Sequence, residues 1–171
     1  MKIILINHAE RQRDPDKLRD RQIDRHQPLA RAGVEQAHDL AARLGANGDI
    51  PTLYLTSRNA HAKQTAEIVC TDLGRVPSTD VVEIDALTPF HPTESCQQIF
   101  EEARASGHNP QLHDVVAIIG HYPRLNQLFA HLTWKTAAPT PLNYAQEVYL
   151  TTQEKFCDGT ANGQWPADPS R

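Results

Sequence analysis

The sequence predicts a three-layer α/β/α sandwich built on a mostly parallel central sheet. Short apolar runs rich in β-branched residues alternate with segments whose apolar residues fall on one helical face, an order typical of parallel sheets covered by helices on both sides. Two of the apolar runs end abruptly at a histidine. At 171 residues the chain has the length of one ordinary domain, and we expect a single domain over residues 1–171.

The strands are predicted from their apolar character. Lys2–Ile6 is an almost wholly apolar run, as expected of a central parallel strand. Further strands are predicted at Thr52–Thr56, Asp80–Ile84 and Asp114–Gly120, and the alternation that begins at Asn143 predicts an outer strand. We expect residues 154–171 to form a partly irregular tail.

The helices are predicted from one-sided apolar spacing. Gly33–Leu44 places its apolar residues on one face, and similar spacing predicts helices over Asn59–Leu73, over Ser95–Ala105 and from Leu125 to Leu132. The segment Glu10–Gln27, in contrast, is almost wholly polar. It is expected to be a solvated loop or, alternatively, a lid beside the site that follows the first strand.

Composition excludes several classes of function. The formal net charge of −4 argues against a nucleic-acid-binding protein, which usually presents a basic face. No apolar run approaches the length of a membrane span. The three cysteines, Cys70, Cys96 and Cys157, are scattered and form no recognisable disulfide or metal framework, so we expect a reducing, cytoplasmic setting. No cofactor is expected.

Two histidines occupy positions typical of a functional site. His8 follows the first predicted strand after Asn7, and His121 follows the strand Asp114–Gly120. Because the carboxyl ends of parallel strands meet at one edge of the sheet, the two side chains are expected to share one site. Pattern alone leaves the chemistry open, since paired imidazoles can serve as nucleophile and acid, as metal ligands or as hydrogen-bond donors.

Four blocks of the sequence, in the same order, resemble those of a known family. They are LINHAE (Leu5–Glu10), PLARAGVEQA (Pro28–Ala37), LTSRNAHAKQTAEIV (Leu55–Val69) and VVAIIGHYPRLNQLFAHL (Val115–Leu132), with ALTPFHPTE (Ala86–Glu94) as a further match. In these blocks the chain resembles the histidine phosphatase superfamily, which has the phosphoglycerate mutase-like fold, and within it the SixA-type phosphohistidine phosphatases. The resemblance extends to about Gln153.

The resemblance implies a site for phosphoryl transfer. His8 matches the nucleophile, which would form a phosphohistidine intermediate before water releases phosphate. His121 matches the second histidine, which hydrogen-bonds the transferring phosphoryl group. The implied partner is a phosphorylated protein that carries phosphohistidine, or a small phosphorylated substrate.

The chain departs from the family at the phosphate-binding positions. Asn7 and His61 stand where the family has two arginines, and Ala9 replaces a glycine. Asn7 and His61 are therefore candidate phosphate ligands without a permanent charge. Three arginines, Arg11, Arg58 and Arg124, each lie three residues from one of the histidines, and any of them could supply a guanidinium. Arg58 is preferred because it lies in the turn that leads into the helix carrying His61.

The lost arginines also leave other functions open. Two uncompensated losses of this kind correspond to roughly 3–8 kcal/mol, which ranges from a slow enzyme to an inactive one. The alternative function is therefore an impaired histidine phosphatase fold that binds a phosphate-like anion or a protein partner. A third interpretation is that His8, His61 and His121 converge as zinc ligands, although their spacing matches no recognised metal motif. Pro89 stands about where larger family members carry an acidic residue that protonates the leaving oxygen. A phosphoramidate needs no such acid, because its nitrogen is basic enough to arrive protonated. The resemblance therefore favours a phosphoramidate substrate over a sugar phosphate.

Overall fold

The computed structural model describes residues 1–13, 25–89, 97–111, 114–133, 142–152 and 161–163. Within these residues, the strands form one six-stranded sheet in the order β3-β2-β4-β1-β5-β6. The strands are β1 (Lys2–Asn7), β2 (Leu53–Thr56), β3 (Val81–Glu83), β4 (Val115–Gly120), β5 (Glu147–Thr152) and β6 (Ala161–Gly163). The four strands β3, β2, β4 and β1 run parallel, and β5 and β6 add two antiparallel pairs at the β1 side. The mostly parallel sheet is confirmed.

The helices alternate with the strands as predicted. They are α1 (Arg31–Ala46), α2 (Ala60–Asp72), α3 (Pro77–Asp80), α4 (Gln97–Ala105) and α5 (Arg124–Thr133). The long helices extend or shorten the predicted ranges by two residues or fewer at each described end. Short elements without a counterpart in the sequence prediction include α3, a single turn that begins at a proline, the 3₁₀ turn Asp85–Leu87 and the three-residue β6. No helix in the described ranges has the length and apolar character that a membrane span requires.

The core lies in two layers, one on each face of the sheet. In β1, Ile3 and Leu5 pack on the side of α4 and α5, while Ile4 and Ile6 pack on the side of α1 and α2. This alternation follows from the pleat, which sends successive side chains to opposite faces. All four are fully buried, as expected of a strand with a helical layer on each side. The three-layer sandwich is thereby confirmed.

The register of the parallel strands determines which residues meet at the edge. Asn7 in β1 lies beside Gly120 in β4, and Thr56 in β2 lies beside Ile119. The residues that follow these strands therefore emerge close together. This edge is the carboxyl end of the parallel sheet, where ligand sites of such sheets are found.

The backbone after β1 is held against the start of α1. The Ala30 N–H donates to the carbonyl of Glu10 at 2.9 Å. A Cβ atom at Gly33 would lie only 1.9 Å from the same carbonyl oxygen, so this position in α1 has no room for a side chain. Residues 14–24 of the predicted loop, and residues 90–94 of the ALTPFHPTE block, lie outside the described ranges.

Candidate active site

Three polar side chains follow three adjacent parallel strands. His8 comes directly after β1, Ser57 after β2 and His121 after β4. Backbone hydrogen bonds continue the sheet to these positions: the His8 N–H donates to the carbonyl of Gly120 at 3.1 Å, and the Ser57 N–H donates to that of Ile119 at 3.4 Å. The strand ends therefore present these side chains from well-ordered sheet backbone.

The three histidines His8, His61 and His121 form one buried cluster. His61 lies in the first turn of α2, and its ring centroid is 4.3 Å from that of His8 and 5.1 Å from that of His121. The His8 and His121 centroids are 4.7 Å apart. The exposed fractions of the residues are 7% for His8, 0% for His61 and 6% for His121. The structure thus brings together the three histidines that the sequence analysis singled out.

The ring of His8 is oriented by its own neighbour. Its Nδ1 atom lies 2.8 Å from the carbonyl oxygen of Ala9. Since a carbonyl can only accept, Nδ1 carries the proton and Nε2 carries the lone pair. The Ala9 N–H in turn donates to Thr65 Oγ1, which donates to the carbonyl of His61, so the end of β1 is tied to α2. This is the tautomer in which Nε2 can act as a nucleophile or as a metal ligand.

His61 is a neutral imidazole with one satisfied nitrogen. Its Nδ1–H donates to the carbonyl of Gln27 at 3.0 Å, while its buried Nε2 has no hydrogen-bond partner among the described residues. Burial lowers the pKa of His61 to about 4, despite the opposing effect of the Gln27 carbonyl, and the positive charge of Arg11 lowers it further. At pH 7, His61 is therefore uncharged. The family resemblance leads us to compare this position with an arginine, which would be charged.

His121 is held by Ser57. Its Nε2 lies 2.7 Å from Ser57 Oγ, and both side chains are buried. Burial lowers the pKa of His121 well below its ordinary value, and His8, His61 and Arg11 lower it further. The sequence analysis missed Ser57, although the signal was present: it follows a predicted parallel strand, as His8 and His121 do.

The side chain of Asn7 is hydrogen-bonded to the chain segment that precedes β5. Its amide nitrogen donates to the carbonyls of Leu142 and Asn143, at 2.8 and 3.2 Å. Because both partners are acceptors, the amide orientation is determined, and both N–H groups are engaged. The segment is further joined to β1 by the Ala145 N–H, which donates to the carbonyl of Asn7 at 3.0 Å. The remaining side-chain oxygen of Asn7 is an acceptor and offers nothing to an anion.

The candidate arginines occupy different environments. Arg11 contacts Gln27 Oε1 with its guanidinium, and its charge acts on both His61 and His121. Arg58, the substitute preferred from the sequence, lies half exposed with its Nε 2.7 Å from Asp85 Oδ1. Arg124 is buried, and its Nε donates to the carbonyl of Ala86 at 2.9 Å. The positive charge of Arg11 therefore acts on two members of the histidine cluster.

Tyr144 completes the surroundings of His8. The two ring centroids are 5.6 Å apart, and the Tyr144 hydroxyl accepts a hydrogen bond from Arg13 Nη2 at 3.2 Å. Neither residue was predicted for the site. Both lie outside helices and strands, and no local periodicity marks loop residues that meet only through tertiary packing.

Comparisons with known proteins define the fold. No protein-family model matches the sequence, and no curated protein matches it. The protein histidine phosphatase SixA complexed with tungstate is similar in structure, with a TM-score of 0.73, 20% identity and coverage of 96% of this chain and 95% of that one. A mycobacterial glucosyl-3-phosphoglycerate phosphatase in complex with VO3 gives a TM-score of 0.64 at 16% identity, covering 98% and 99% of the two chains.

A third structure extends the comparison to an animal protein. The ecdysone phosphate phosphatase of Bombix mori in complex with tungstate gives a TM-score of 0.64 at 13% identity, with 96% of this chain and 92% of that chain covered. At such identities the likeness concerns the fold, and it extends over nearly the whole length of each chain. The chain therefore shares the α/β fold of these phosphatase structures.

Proposed function

We propose that this protein is a phosphatase that acts through a phosphohistidine intermediate on His8, with protein phosphohistidine or a small phosphorylated molecule as its substrate. The observation that carries the proposal is the orientation of His8, whose Nδ1–H is held by the Ala9 carbonyl so that Nε2 carries the lone pair. The phosphatases named above support it, since their structures share the fold and were obtained with tungstate or VO3.

The proposed reaction has two displacements. First, Nε2 of His8 attacks phosphorus, a new N–P bond forms, and the bond from phosphorus to the leaving group breaks with the electron pair going to the leaving group. Second, a water oxygen attacks the phosphohistidine, the N–P bond breaks, and phosphate leaves with neutral His8 restored. Dividing the hydrolysis in this way replaces one difficult step with two easier ones.

His121 and Arg11 are the proposed stabilising groups. The Ser57 hydroxyl fixes the ring of His121 beside His8, and Arg11 supplies permanent positive charge near the cluster. At pH 7 the permanent positive charge in this proposal is that of the Arg11 guanidinium.

The proposed substrate class follows from the protonation of the cluster. Burial lowers the pKa of His61 to about 4 and that of His121 well below its ordinary value, so at pH 7 neither ring holds the extra proton that a general acid gives up. A phosphoramidate nitrogen is basic enough to arrive protonated, whereas an alkoxide leaving group needs an acid. We therefore favour phosphohistidine over a phosphomonoester.

A phosphate-release assay tests the proposal. Purified protein, treated with a chelator to remove metal, is incubated with a protein that carries acid-labile phosphohistidine, and free phosphate is measured over time. Wild type and the surface control His131→Asn should release phosphate, and His8→Asn should not. His131 is exposed on α5 and makes a matched histidine substitution outside the cluster.

The same assay addresses the second candidate function. Both amide protons of Asn7 are used within the chain, which favours a protein that binds a phosphate-like anion or a partner without turnover. Equal, background-level release by wild type and His8→Asn would overturn the phosphatase and support that alternative.

A further inference from the structure

The three imidazoles of the cluster surround one point, and their nitrogen atoms lie only slightly farther from it than a metal–nitrogen bond length. One nitrogen each from His8, His61 and His121 lies within 4.8 Å of the other two. Three atoms so arranged all lie within about 2.8 Å of a common point, whereas zinc–imidazole bonds measure about 2.0–2.1 Å. Inward shifts of less than about 1 Å for each ring would therefore complete a three-histidine site.

Two of the rings are already held in the way that metal-bound histidines are held. The Nδ1–H groups of His8 and His61 donate to the backbone carbonyls of Ala9 and Gln27, at 2.8 and 3.0 Å. Such a bond fixes the tautomer, aims the other nitrogen and raises its basicity toward a metal. The third ring, His121, is held by Ser57.

The buried Nε2 of His61 points to a ligand independently. It has no hydrogen-bond partner among the described residues, although His61 is fully buried. A buried acceptor without a partner destabilises a fold, because it loses its hydrogen bond to water. A metal ion within reach of all three rings would satisfy this atom.

The residue types at two positions beside the cluster are compatible with a cation. Asn7 and His61 contribute no guanidinium there, so they add no permanent positive charge that would repel a metal ion. Arg11 still acts on the cluster and opposes a cation. This makes Arg11 a useful probe, because its charge should affect metal and phosphate in opposite directions.

We propose that His8, His61 and His121 together bind one divalent transition-metal ion of the zinc type, with a fourth position left for water or another ligand. Three imidazoles and an open position suit Zn²⁺ or Co²⁺ rather than Mg²⁺ or Ca²⁺, which prefer oxygen ligands. Since His8 Nε2 would be a ligand, metal binding and attack on phosphorus exclude each other. The metal site itself does not rest on the proposed phosphatase function.

Metal titration tests the site directly. Chelator-treated protein is titrated with Co²⁺, whose visible absorption is intense in tetrahedral sites, and with Zn²⁺ in equilibrium dialysis. Wild type and His131→Gln should bind one ion per chain, while His61→Gln and His121→Gln should each lose at least about a hundredfold in affinity. Circular dichroism verifies that the variants are folded, and two variants are used so that one folding failure leaves the test intact.

The outcomes that overturn the proposal are distinct from those that overturn the phosphatase. Absence of binding by wild type, or equal affinity in folded His61→Gln or His121→Gln, excludes the three-histidine site whatever the phosphate assay shows. The phosphate assay uses metal-free protein, and its decisive variant is His8→Asn.

Substitution of Arg11 separates the two ligands. Arg11→Met should tighten Zn²⁺ binding several-fold and weaken the binding of inorganic phosphate by a similar or larger factor. Weaker Zn²⁺ binding by folded Arg11→Met would place the metal elsewhere and contradict the site.

Discussion

Asn7 has a structural role at the end of β1. An arginine in its place would project a long charged side chain, whereas Asn7 uses its short amide to hold Leu142 and Asn143 against the end of β1. Restoring arginine at position 7 would break this attachment as well as add charge. Any gain in phosphate binding would therefore be accompanied by a loss of stability.

Removal of the amide donors of Asn7 should destabilise the protein. Asn7→Asp keeps the shape of the side chain but replaces two donors with a carboxylate that faces two carbonyls. We expect a loss of about 1–3 kcal/mol in the free energy of unfolding, measured by urea denaturation at neutral pH. Asn143→Ala, at an exposed position of the same segment, is the control and should change stability by less than about 0.5 kcal/mol. An Asn7→Asp variant as stable as wild type would contradict this role.

Among the elements, the strands and long helices could be predicted because their signal is local. An apolar run such as Val115–Gly120 identifies a buried strand by itself. The histidine that follows it is a candidate site residue, because ligand sites lie at the carboxyl ends of parallel strands. β6 could not be found this way, since Ala161–Gly163 is too short to carry a pattern.

The parts of the site contributed by loops escaped prediction for a different reason. Arg58 lies three residues from His61 in the sequence, but it pairs with Asp85, which spacing along the chain does not reveal. Tyr144 reaches His8 only because the chain returns to the sheet more than a hundred residues later. Such contacts depend on tertiary packing rather than on periodicity.

Helix α1 offers a matched pair of glycines for testing its contact with the backbone after His8. In Gly33→Ala, the new Cβ would lie 1.9 Å from the carbonyl oxygen of Glu10, so backbone must move. In Gly45→Ala, it would lie 3.3 Å from a Leu73 methyl group, which can adjust.

We expect Gly33→Ala to lower the free energy of unfolding by about 3 kcal/mol, because it overpacks a backbone contact. Gly45→Ala should stay within about 1 kcal/mol of wild type, since helix propensity gained offsets the close contact. Thermal or urea unfolding of the two variants checks the difference. Equal stabilities would mean that the start of α1 can move away from Glu10 at little cost.

At the scale of the whole molecule, the two core layers shield groups that lie far from the histidine cluster. Cys70 in α2 is fully buried in the layer beneath α1 and α2. Burial raises the pKa of its thiol to about 11, and the negative charge of Asp80 acts in the same direction. Its thiolate fraction at pH 8 is therefore about a thousandth, and a reagent reaches it only when the layer opens.

Thiol labelling measures this opening. In a variant with Cys96→Ser and Cys157→Ser, the remaining Cys70 should be unreactive toward a chromogenic disulfide reagent at pH 8, and one thiol per chain should react in denaturant. The reaction rate in the native state then reports how often the layer opens. Rapid labelling without denaturant would contradict the tight packing of this face.

The register between β1 and β4 constrains how this chain can evolve. Asn7 lies beside Gly120, so the two histidines emerge at the same height only while both strands keep their residue count. A single insertion or deletion within either strand would send its apolar side chains to the opposite face and also displace its histidine. Substitutions at the buried apolar positions of these strands need only preserve an apolar side chain of similar volume. We therefore expect natural variants to differ in the identity of the apolar residues in these strands, but hardly at all in the number of residues that each strand contains.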